Sequence, residues 1–213
     1  QNTKNMNTYP RIIGETGGKN FHFIDTECDN MINSIVEKTI ESAFNYSGQK
    51  CSACSIMYVP TNKLAKITNY FKLRLNYYVR HSENYGLINQ KSYDRVNTIL
   101  DELRSDDKID FMVNGPDSDY ENYLINPQIL ICEDHQHRVF NEEFFAPILA
   151  IYPYQPYKKE ETIDLCCNSN SYALTGSVFS EDKKFIDYAT NKFRHKTGNF
   201  YINDKSTGSV VGQ

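Results

Sequence analysis

The side chains with the most chemical reach lie in Gln49-Lys50-Cys51-Ser52-Ala53-Cys54. Cys51 directly follows a lysine and is succeeded by two small residues, so its sulfur is poorly shielded by its own neighbours. A thiol attacks only as the thiolate, and a free cysteine has a pKa of about 8.5, so a nucleophile here needs a cation or oriented backbone amides. Lys50 is the candidate cation. On residue type alone a second reading stands beside this one: Cys51 and Cys54 pack as small apolar residues, as free cysteines often do.

The Cys-x-x-Cys spacing also raises zinc and a redox dithiol. A structural zinc site needs a second ligand pair, and Cys132, His135 and His137 lack a second Cys-x-x-Cys or His-x-x-x-His arrangement. A dithiol of the thioredoxin kind opens a helix, whereas this pair falls between a long helical pattern and a strand. Neither is expected. A thiol hydrolase or acyl transferase would need a histidine base, and none of His22, His81, His135, His137 and His195 is marked out by position. Two further features stand in glycine-rich turns. Glu15, within Gly14-Glu15-Thr16-Gly17-Gly18, could project into a cleft or be an ordinary turn carboxylate. Thr207-Gly208-Ser209 could offer backbone N–H groups to a carboxylate or be a plain loop.

These residues need elements to hold them. Apolar residues at 31, 32, 35, 36, 40, 43 and 44 mark one helical face over 29–45, with Gly48 placed to end it. Further helices are expected over 63–80, 92–103, 160–167 and 182–194, and extended runs over 11–13, 20–24, 55–59, 109–113, 128–132, 147–154, 172–179 and 198–202. Strands alternating with helices predict an α/β fold: a mostly parallel sheet covered by helices on both faces.

Composition narrows the function. The net charge of −4, without a basic stripe, argues against nucleic acid. No run approaches the ~18 apolar residues of a membrane span, and no apolar leader opens the chain. Six irregularly spaced cysteines do not form a secreted disulfide scaffold.

Together the motifs resemble the aldehyde dehydrogenase superfamily. Residues 10–20, Pro-Arg-Ile-Ile-Gly-Glu-Thr-Gly-Gly-Lys-Asn, are similar to its glutamate motif. Residues 44–55, Phe-Asn-Tyr-Ser-Gly-Gln-Lys-Cys-Ser-Ala-Cys-Ser, are similar to its cysteine motif in the branch acting on L-glutamate γ-semialdehyde, the open form of pyrroline-5-carboxylate. Glu142-Glu143-Phe144-Phe145-Ala146-Pro147 resembles Glu-Glu-Ile-Phe-Gly-Pro, with alanine in place of glycine, and residues 198–213 resemble the branch's substrate-anchoring loop.

The resemblance implies NAD-dependent oxidation of that semialdehyde to L-glutamate, with Cys51 as nucleophile and Glu15 as general base. It further implies Glu143 and Phe145 at the cofactor, and Ser52, Gly208 and Ser209 at the substrate carboxylate. It implies that residues 1–213 are part of a catalytic domain, without the Rossmann-type cofactor domain and the C-terminal segment, and inactive alone. A homo-oligomeric full-length form in the mitochondrial matrix is expected with it. The rival expectation is a truncated, non-catalytic homologue acting as a binding protein.

Overall fold

In a computed structural model, residue 14 and residues 17–81, 85–113, 119–169 and 173–208 are described. Strand β1 (Asn20–Ile24) is buried along its whole length and pairs in parallel with β2 (Cys54–Pro60) on one side and β6 (Ala173–Phe179) on the other. Beyond β2 come β5 (Ile148–Tyr154) and β4 (Gln128–Ile131), both parallel, and then the edge strand β3 (Asp110–Val113), which is antiparallel to β4. Strand β7 (Thr197–Ile202) closes the far edge in parallel with β6. Among the described residues the order β3-β4-β5-β2-β1-β6-β7 makes a seven-stranded sheet, mostly parallel as expected.

Strand side chains alternate between faces, and the alternation sorts two cores. Phe21, Phe23, Ile56, Tyr58 and Val178 face α3 (Gln90–Arg104), α4 (Lys159–Ser169) and α5 (Lys183–Phe193). Ile24, Met57, Val59 and Phe179 face α1 (Ile32–Phe44) and α2 (Thr61–His81). Both faces are therefore covered, which explains why the central strands read as nearly continuous apolar runs. Each fully buried aliphatic or aromatic side chain contributes roughly 1.5–3 kcal/mol, so the two cores dominate the stability.

Local signals set the helix starts. Asn89 caps α3, its Oδ1 accepting from Ser92 N at 2.9 Å, and Asp182 caps α5, accepting from Lys184 N at 2.8 Å. A short 3-10 turn, Asp29–Met31, precedes α1, so the helical pattern read from residue 29 resolves into two pieces. Strand β2 takes in Cys54 and Pro60, one residue beyond each end of the expected run over 55–59, and α2 follows at once from Thr61. The expected extended run at 11–13 and the first residue of the run from 172 lie outside the described residues.

The cysteine turn, the beginning of β6 and the beginning of β7 all lie at the amino ends of parallel strands. After β7 the chain reverses at Asn203, whose φ of 54° is a conformation asparagine tolerates. Its N–H donates to Val178 O at 2.8 Å, and residues 204–208 run back towards the amino end of the sheet.

Candidate active site

The nucleophile candidate sits in a tight turn, where Ala53 N donates to Lys50 O at 3.0 Å and throws Cys51 and Ser52 outward. Cys51 is partly exposed, while Cys28, Cys54, Cys132, Cys166 and Cys167 are buried and all six are free thiols. Burial raises the Cys54 thiol above its ordinary range, and its Sγ donates to Ile56 O at 3.3 Å. The two cysteines of the Cys-x-x-Cys thus have opposite surroundings, one open and one sealed. The Lys50 ammonium lies over the Tyr46 ring, 4.9 Å from its centroid.

Asn20, the first residue of β1, holds this turn. Its Nδ2 donates to Cys51 O at 2.8 Å and to Ala53 O at 2.9 Å, and its Oδ1 accepts from Thr175 N at 2.9 Å. Thr175 Oγ1 donates to Ser52 O at 3.0 Å. Three carbonyls of the turn are therefore pinned from β1 and β6. Gly18 completes the fit, since a Cβ there would stand 2.1 Å from Cys51 O.

On one side of the turn an open cleft of about 350 Å³ is lined by Cys51, Ser52, Leu174, Thr175, Gly198, Asn199 and Gly208. Gly208 faces Ser52 across it: a methyl group on the glycine would stand 3.7 Å from Ser52 Oγ. On the other side, a narrow crevice is bordered by Gly18, Lys19, Lys50, Ala53, Glu143 and Phe145, among others. The Lys50–Ala53 turn is the wall between them.

The second recess brings a carboxylate and an aromatic ring together. Glu143 is a half-buried carboxylate seated on Gly17, where a Cβ would meet its Oε2 at 2.3 Å. Phe145 has a positive φ of 51° and is 42% exposed, an apolar residue turned outward. Lys19 lies beneath, 1% exposed, with its ammonium 5.2 Å from the Phe144 centroid. Burial pulls that ammonium down to about 8, against the opposing attraction of Glu143. Ala146, the departure from the family's glycine, packs its carbonyl against Gly48, where a Cβ would come within 2.3 Å.

The fold therefore gathers Cys51, Ser52 and Gly208 at one cleft and Glu143 with Phe145 at the other. Glu15 and Ser209 lie outside the described residues. His135 and His137, weighed above as metal ligands, are engaged elsewhere, by Tyr58 OH at 3.0 Å and by Asp106 Oδ2 at 3.0 Å. Asn20 and Thr175 were not singled out from sequence. A polar residue opening an otherwise aromatic strand, directly after two glycines and a lysine, was the available signal for Asn20.

With an α/β sheet of this order and a partly exposed cysteine in a pinned turn between two clefts, the chain belongs to the aldehyde dehydrogenase family. The family's model, described as "Aldehyde dehydrogenase family", matches residues 2–213. Among its relatives, the mitochondrial delta-1-pyrroline-5-carboxylate dehydrogenase of Homo sapiens is 41% identical over 223 residues, an alignment covering 100% of this chain and 39% of that protein. The enzyme of the same name from Rattus norvegicus is 39% identical with the same coverage. Among solved structures, the Mycobacterium tuberculosis Delta-pyrroline-5-carboxylate dehydrogenase bound with NAD superposes with a TM-score of 0.85 at 28% identity, covering 100% of this chain and 39% of that one. The chain thus spans about two fifths of the length of these relatives.

Proposed function

We propose that this chain is the catalytic portion of an NAD-dependent aldehyde dehydrogenase that oxidises L-glutamate γ-semialdehyde to L-glutamate in proline catabolism. One observation carries the reading: Cys51 and Ser52 face Gly208 across one cleft, while Glu143 and Phe145 border a second recess behind the same turn. An aldehyde with a remote carboxylate fits the first arrangement. A ribose and nicotinamide fit the second, with Glu143 accepting from ribose hydroxyls and Phe145 flanking the ring. The names of the relatives point the same way.

In this reading the Cys51 thiolate attacks the aldehyde carbon, forming the S–C bond as the carbonyl electrons move to oxygen. The oxyanion is received by the Cys51 backbone N–H. NAD, when bound, supplies the hydride acceptor that turns the thiohemiacetal into a thioester. Glu15 takes a proton from water, the resulting hydroxide adds to the thioester carbon, and the Cys51 thiolate leaves. Ser52, Gly208 and Ser209 hold the α-carboxylate, so aldehydes lacking it lose the pairing and bind less well. Residues 1–213 then form part of a catalytic domain whose full-length form is a homo-oligomer of the mitochondrial matrix.

The test is NADH production from pyrroline-5-carboxylate by the full-length gene product and by its Cys51→Ala and Glu15→Gln versions. Activity that vanishes with Cys51→Ala, and a thioester that accumulates with Glu15→Gln, are expected. A folded, NAD-binding wild type with no turnover would overturn the reading and favour a non-catalytic binding protein.

A further inference from the structure

Residues 204–208 lack strand pairing, yet they carry Gly208 to its place opposite Ser52. What holds them is a set of buried polar side chains on the α1-facing side of the sheet. His22 and Ser177 are adjacent in the β1–β6 register and both are fully buried. Ser177 Oγ donates to Asp204 O at 2.6 Å, and Ser206 N donates to His22 Nε2 at 3.1 Å. Because a backbone N–H can only donate, Nε2 is the acceptor and the proton sits on Nδ1, which donates to Thr39 Oγ1 at 2.8 Å. Thr39 Oγ1 in turn donates to Ile35 O at 2.7 Å. The ring is neutral by construction.

Ser42, from α1, makes the link to the nucleophile turn. Its Oγ donates to Ser206 O at 2.6 Å and accepts from Cys54 N at 3.3 Å, so one hydroxyl bridges the end of the cysteine turn and the returning segment. Tyr201 OH adds a bond to Thr207 O at 2.9 Å. The hydroxyls of Ser177 and Ser42 and the imidazole Nε2 all bind backbone groups of residues 204 and 206, and these side chains are too deeply buried to meet substrate. Apolar residues would fill the same space without needing partners; polar ones fix a segment in register.

We propose that His22, Ser42 and Ser177 are positioning residues for substrate selection: they seat residues 204–208 at a set distance from Cys51, so that the carboxylate-binding loop and the nucleophile are spaced for one chain length of aldehyde. The proposal rests on the substrate reading given above.

It is tested in the full-length enzyme by comparing KM for L-glutamate γ-semialdehyde with KM for butanal, which has an aldehyde and no carboxylate. His22→Leu removes the acceptor and is expected to raise KM for the semialdehyde about tenfold, the effect of one lost buried hydrogen bond, while KM for butanal and the iodoacetamide labelling rate of Cys51 stay within about twofold. His22→Gln, whose Oε1 can accept from Ser206 N, restores most of the loss. Ser177→Ala, which deletes one hydroxyl and keeps the fold, shifts the semialdehyde KM in the same direction by a smaller factor. Equal rises for both aldehydes, or no rise for either, overturn the proposal. A wild-type enzyme that does not prefer the semialdehyde over butanal defeats the substrate reading itself, an outcome visible before any variant is compared.

Discussion

Asn20 Nδ2 reaches the Cys51 carbonyl at 2.8 Å, so the first residue of the central strand fixes the backbone of the nucleophile candidate. The same amide nitrogen serves Ala53 O, and the amide oxygen serves Thr175 N, which leaves little freedom in how this side chain is oriented.

Replacing Asn20 tests that relationship. Asn20→Asp keeps the size but cannot donate, so two buried carbonyls lose their partner and face a carboxylate instead. A loss of roughly 2–4 kcal/mol is expected, larger than for Asn20→Ser, measured as the shift in urea midpoint at pH 7.5. Equal stability of Asn20→Asp and wild type would show that the three contacts do not hold the turn.

Two neighbouring glycines separate the two clefts experimentally. At Gly17, with φ +132°, a Cβ would strike Glu143 Oε2, whereas at Gly18 it would strike Cys51 O. Gly17→Ala in the full-length protein is therefore expected to weaken NAD binding about tenfold or more with Cys51 labelling near normal. Gly18→Ala is expected to alter the Cys51 labelling rate and cost roughly 2–4 kcal/mol of stability. Calorimetric NAD titration and mass-spectrometric labelling give the two readouts, and identical behaviour of both variants contradicts the division.

Thiol reagents should discriminate among the cysteines. Cys51 is partly exposed and the other five are buried, and burial raises the thiols of Cys28, Cys54, Cys132, Cys166 and Cys167. Limiting iodoacetamide at pH 7.5 should label Cys51 first, by a factor of at least about ten, and Cys51→Ala should remove the fast phase. Comparable early labelling of Cys54 would mean that the second cysteine of the pair is open.

Two buried histidines predict acid sensitivity. Burial pushes His22 down to about 3 and His135 to about 4, both below the ~6.5 of an unfolded chain. Below that value the unfolded state binds more protons, so stability is complete above about pH 6.5 and falls as pH drops towards 4. His22, buried throughout, contributes roughly 2–3 kcal/mol of loss between pH 6.5 and 4.5, and the less enclosed His135 contributes less, because solvent screens it. Asp29, Asp106, Asp119, Asp134 and Asp204 are shifted down, so their contribution is lost only below about pH 4, a separate window. Melting temperature against pH should decline across 6.5–4.5 in wild type and less steeply in His22→Gln; parallel curves would exclude His22 as a source.

The sequence by itself determined the alternation of strands and helices, because period-two and helical apolar patterns depend only on nearest neighbours and on which face is buried. It also marked Cys51, Glu15, Ser52, Gly208, Ser209, Glu143 and Phe145, since residue type and local motif survive in one dimension. Tertiary structure decided the rest. That Ser52 faces Gly208, that Gly17 seats Glu143, and that Asn20 pins Cys51 O are contacts across 31 to 156 residues, set by strand order and register. The antiparallel edge strand β3 follows from pairing with β4 that no local pattern announces. His22 reads in sequence as one polar residue in an aromatic strand. Only the return of residues 204–208 over the sheet gives its nitrogen a backbone N–H to accept, 184 residues away.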